Sequence, residues 1–103
     1  MLYIMAIGDD FDRAITERIR LVRLALNLTR EELDIRAGVS MGTTSRIESG
    51  ARGRQISAKL VAKYASATGQ DPGWMLTGQP PNSTWRPLDL AAAKRKLRAN
   101  PKA

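Results

Sequence analysis

Apolar residues recur at helical spacing between Phe11 and Leu28: Phe11, Ile15, Ile19, Val22 and Leu26 fall on one stripe, which Leu21 and Leu24 widen. The spacing predicts a first helix. Asp9, Asp10 and Asp12 stand at its start, where carboxylates accept from free N–H groups and meet the positive end of the helix dipole. In "LTREELDIRAG", Thr29 precedes Glu32 by three positions, the spacing at which each side chain satisfies the other residue's backbone N–H, so a second, short helix follows to Ala37. Gly38 can adopt the left-handed conformation that ends it, and Ser40 can cap a third helix that runs from Met41 to Ser49 and stops at Gly50. "ARGRQI" reads as a loop. Ser57 caps a fourth helix that turns Leu60, Val61 and Tyr64 inward and ends at Gly69. Asp71 and Pro72 open a fifth, closed by Gly78, whose Trp74 and Leu76 complete the expected core.

Residues 9–78 therefore read as one helical domain containing a helix-turn-helix. Residues 1–8, "MLYIMAIG", are apolar but short, with no basic residues ahead of them and "DDFD" directly behind. That suits neither a signal peptide nor a membrane span, and the reading is a flexible N-terminal segment in which Met5 is an alternative start. Residues 79–103 comprise a Pro-containing linker, "QPPNSTWRP", and a basic tail, "LDLAAAKRKLRA", either helical or disordered, and a possible dimerisation segment. No internal repeat is present.

Composition narrows the function. Of 103 residues, 43% are hydrophobic but only 5% aromatic, so aliphatic side chains and Ala must fill the core, which favours helices packed on helices. An all-α fold is expected. Seventeen Lys and Arg against ten Asp and Glu leave a net charge of +7, which attracts polyanions: nucleic acid first, an anionic membrane surface second. With no Cys and no His, disulfides and thiolate metal sites are excluded and the commonest general base is missing. Neither metal nor cofactor is expected, and an enzyme is the weakest class, because no base sits beside a nucleophile in any motif.

The stretch "RIRLVRLALNLTREELDIRAGVSMGTTSRIESG" resembles the lambdoid phage repressor and Cro-type (XRE-like) family of helix-turn-helix domains, and "DPGWMLTG" is similar to the end of that domain. The resemblance covers roughly residues 15 to 78. It implies a five-helix, lambda-repressor-like domain that binds double-stranded operator DNA as a dimer, with its third helix in the major groove. It assigns base reading to Met41, Gly42, Ser45 and Arg46, and a partly buried ion pair to Arg23 and Glu48. Arg46 has the donors to address guanine O6 and N7, or else meets only phosphate or solvent; Met41 can touch a thymine methyl, and Gly42 allows close approach. Phosphate contacts are expected from Arg30 at the start of the second helix, and from Thr43, Arg52 and Arg54.

Two positions depart from the family pattern. Asp34 replaces a small residue and Thr44 a branched apolar one, at sites that pack together in the family. A buried carboxylate needs a partner, so a Thr44 hydroxyl bond and neutralisation by Arg30, one helical turn earlier, are expected. The function implied is a phage or prophage transcriptional repressor in the bacterial host cytoplasm, nucleoid-associated, with no membrane role. The alternative is an interaction module such as an antitoxin. With no room for a self-cleaving domain after residue 78, inactivation by a protein antagonist (an antirepressor) is expected. Trp85, Leu88, Leu90 and Leu97 lie outside the recognised domain, and a homodimer contact is the expected cover for them; the other reading is a disordered electrostatic arm.

Overall fold

The computed structural model describes the backbone of residues 2–50 and 56–103 and the side chains of residues 11–50 and 56–103. The described residues form six helices: α1 (Leu2–Ala25), α2 (Arg30–Ala37), α3 (Thr43–Glu48), α4 (Ala58–Thr68), α5 (Pro72–Thr77) and α6 (Ala91–Ala99). The all-α expectation is met by five helices of the domain and a sixth in the tail. Helix α1 is longer than the pattern predicts. Its backbone is helical from Leu2, so Asp9, Asp10 and Asp12 lie within the helix instead of at its start.

The buried stripe of α1 begins at Ile15 and continues through Ile19 and Val22, the predicted spacing, while Phe11 at the far end remains 47% exposed. Leu28, Leu33, Ala37, Ile47, Val61, Tyr64, Ala65, Trp74 and Met75 close the core around that stripe. Each fully buried aliphatic side chain there contributes about 1.5–3 kcal/mol relative to exposure. In α5 the residue that reaches the centre is Met75, fully buried, and Leu76 only flanks the core. Caps follow the sequence where they are local: Thr29, Ser57 and Asp71 accept from Glu32, Leu60 and Trp74 N–H, and Gly38, Gly69 and Gly78 end their helices with positive φ.

The tail belongs to the same body. Asn82 Oδ1 accepts from the Thr84 and Trp85 N–H groups, at 3.0 and 2.9 Å, which turns the chain back onto the domain. Trp85 packs on Trp74 with ring centroids 5.7 Å apart and planes tilted by 50°. Leu88 and Leu90 lie against the core, and Gln70 Oε1 accepts from the Leu88 N–H at 3.1 Å. Helix α6 then packs on α1, with Ala93 fully buried. Trp85, Leu88 and Leu90, for which a partner subunit was expected, are thus partly buried against the core of their own chain, and Leu97 is half-buried on α6. Trp74 and Met75 of α5 lie in the core, and Leu76 packs against it together with Trp85, Leu88 and Leu90 of the tail.

Candidate nucleic-acid interface

Helix α3 has six residues, too few to hold its shape through its own hydrogen bonds. Its N-terminal end is fixed from α2. Asp34, 1% exposed, accepts from Gly42 N–H through Oδ2 at 2.8 Å, and from Thr44 N–H and Thr44 Oγ1 through Oδ1 at 2.8 and 2.6 Å. The carboxylate is therefore the cap of the next helix, reached across the turn, and the expected Thr44 bond is part of that cap. Ser40 does not cap α3 as the sequence suggested. The N-cap is Gly42, in the left-handed region at φ 89°, so the helix starts two residues later than predicted. The arrangement extends into α4: Tyr64 OH lies 3.0 Å from Thr44 Oγ1. Thr44 gives its proton to Asp34, so Tyr64 donates to Thr44. Burial pushes the Tyr64 phenol above its usual range, which keeps that donor protonated.

The other end of α3 is fixed from α1 and α2. Glu48, with 1% of its side chain exposed, accepts from Arg23 Nε at 2.7 Å and Nη2 at 2.9 Å, from Arg20 Nε at 3.2 Å and from Arg30 Nε at 2.9 Å. Arg20 Nη2 also donates to the Glu48 carbonyl at 2.9 Å, meeting one of the unpaired carbonyls at the helix end. Arg23 Nη1 takes the Leu28 carbonyl at 2.9 Å. The Arg23–Glu48 pair thus sits inside a cluster of three guanidiniums on one carboxylate. Arg20 and Arg23 are three residues apart and share one face of α1, a spacing from which Arg20 could have been anticipated. Arg30, expected to neutralise Asp34, bonds Glu48 instead.

Between these two fixings α3 shows a face without carboxylates. Met41, 57% exposed, lies just ahead of it, and Ser45, Arg46 and Ser49 are exposed along it. Arg46 folds over Gly42: a Cβ built at Gly42 would lie 3.0 Å from Arg46 Nη1, so Gly42 gives the left-handed cap and also clears space for the arginine. Thr43, expected to touch phosphate, is buried beneath that side chain, with Arg46 Nη2 at 3.4 Å from its hydroxyl. Arg52 and Arg54, the other expected phosphate contacts, lie outside the described residues. Arg30 keeps part of its guanidinium at the surface, but Nη2 donates to the carbonyls of Lys102 and Ala103.

The helix-turn-helix family model matches residues 19–75, more than half the chain and the whole of this arrangement from mid-α1 into α5. The chain belongs to this helix-turn-helix family. No curated protein and no solved structure matches it. A helix-turn-helix domain of this kind is a DNA-binding, regulatory one and not typically an enzyme. Among the described residues no cluster of three or more acidic side chains could hold a metal ion, and no helix is long and apolar enough to cross a membrane. Within the helix-turn-helix, sequence reasoning missed Arg20 at Glu48 and the two backbone bonds of Asp34. The latter depend on the path of the turn and leave no signal in spacing.

Proposed function

We propose that the protein is a sequence-specific transcriptional repressor, of phage or prophage character, which reads a palindromic operator as a dimer. One observation carries this reading: α3 is fixed at both ends by buried polar contacts that leave its outer face, with Met41, Ser45 and Arg46, open and free of negative charge. A groove lined by phosphates repels carboxylates and accepts such a face. Helix α3 alone spans too few base pairs for genomic selectivity, whereas a two-fold pair reads half-sites about 34 Å apart.

Selection of duplexes from a random pool tests it. The expected product is a short palindrome, bound with two chains per site. Arg46→Ala should weaken the selected site by about 1–3 kcal/mol and relax preference at one base pair per half-site. An unchanged affinity and preference would remove Arg46 from base reading. A second reading, an antitoxin-like module that holds a partner protein, draws on Ile35, which is 70% exposed on α2. It would gain if no duplex were selected and Ile35→Asp abolished partner capture.

A further inference from the structure

The cations of the tail are not equivalent. Ala93 is fully buried and Leu97, one turn on, is half-buried, so this edge of α6 faces α1. At about 100° per residue, Lys96 then leans to one side of α6 and Lys94 and Arg98 to the other. A contact identifies the Lys96 side: its Nζ donates to Asn27 Oδ1 at 2.8 Å, in the turn between α1 and α2. Beyond α6 the chain bends back to α2, where Arg30 Nη2 donates to the carbonyls of Lys102 and Ala103 at 2.9 and 3.0 Å. Arg30 also bonds Glu48 at the end of α3. Lys96 Nζ and the backbone of Lys102 therefore lie beside Asn27 and Arg30 at one corner that is continuous with the α3 support, where Glu31 and Ala103 also line the cleft.

We infer that this corner is a second phosphate-contacting surface: a duplex lying on α3 runs on across it, and Lys96 and Lys102 hold the sugar-phosphate backbone that flanks the half-site. The inference rests on the DNA reading above and adds to it a role for the tail that no base-reading residue supplies. Lys96 spends one of its three donors on Asn27 and keeps the others for phosphate. The tail is attached to the domain through Trp85 and Ala93, so these charges are held in place and are not a diffuse cloud.

Two full-length variants with equal loss of charge separate a site from general attraction: Lys96→Gln with Lys102→Gln, and Lys94→Gln with Arg98→Gln. All four side chains are exposed, and unchanged melting of each variant certifies the fold. Binding to the selected duplex, with flanks of about 10 base pairs, is measured against salt. With two lysines lost from each of two chains, the first pair should make the log–log salt slope shallower by about 3.6 and lower low-salt affinity about tenfold or more, equally for cognate and random centres. The second pair should change the slope by less than a third as much. Trimming the flanks should erase the difference between the first pair and the unaltered protein. Equal effects of the two pairs, or no effect of either, would overturn the surface while leaving sequence-selective binding intact. Tighter binding by the first pair would overturn it in favour of a tail that blocks Arg30. Failure of the unaltered protein to select any duplex would instead defeat the reading on which it rests.

Discussion

At the residue scale, Asp34 joins three elements through one carboxylate. Its oxygens take two N–H groups and one hydroxyl at the start of α3, and the hydroxyl in turn accepts from Tyr64 of α4. Because the group is buried, truncation leaves donors without partners, and that penalty exceeds the net worth of the bonds themselves. Asp34→Ala should cost about 2–4 kcal/mol in chemical denaturation, while Asp34→Ala combined with Thr44→Val removes the stranded hydroxyl as well and should recover part of the loss. Strict additivity of the two substitutions would mean that Asp34 and Thr44 act independently and that the cap is not a unit. The Thr44 bond was legible because two polar residues stood where an apolar contact was expected, and buried polar groups must pair. The N–H bonds were not legible: an acceptor eight or ten residues before its donors leaves no local motif, and Ser40 offered a nearer cap. The left-handed Gly42 decides between the two by delaying the helix start.

At the element scale, α3 is a short helix made rigid by its neighbours, and Glu48 is the point where α1 and α2 grip it. Three guanidiniums on one carboxylate leave an excess of positive charge, so the cluster depends on that carboxylate more than on any single arginine. Glu48→Gln should destabilise the fold by about 3–5 kcal/mol, the range for removing one member of a buried pair, and Arg23→Ala should approach it because the Leu28 carbonyl also loses its donor. Arg20→Ala, at a part-exposed side chain, should cost about 1 kcal/mol or less. Denaturation of the three variants checks the ranking; a loss at Arg20 as large as at Glu48 would mean that the backbone bond to the Glu48 carbonyl, and not the charge cluster, holds the helix. The helices themselves were readable from periodicity and caps, since each cap of α2, α4 and α5 is local. The start of α1 was not, because the three aspartates mimic a helix start that the backbone passes through.

At the scale of the whole molecule, the tail decides how much surface is left for a second copy. Apolar residues beyond Gly78 looked like an uncovered interface in the sequence, because linear order cannot reveal that Asn82 turns the chain back and Gln70 receives it. Folded, Trp85, Leu88 and Leu90 pack on the α5 side of the core, so the dimer proposal draws on the arithmetic of reading a palindrome and not on bare hydrophobic surface in this part of the tail. That changes what truncation does. Removing residues 79–103 uncovers Trp74, which is 8% exposed in the intact chain, and separates α6 from α1. Trp85→Ala alone, at a half-buried ring, should cost about 2 kcal/mol, below the range for a fully buried Trp, and the truncation more. Tryptophan emission of the truncated chain should shift to longer wavelength, its melting temperature should fall, and its number of chains per particle off DNA should stay the same or rise through association of the exposed α5 face. A dimer that became a monomer on truncation, with Trp74 emission and melting unaltered, would show the opposite: a tail that joins two chains and contributes nothing to its own domain.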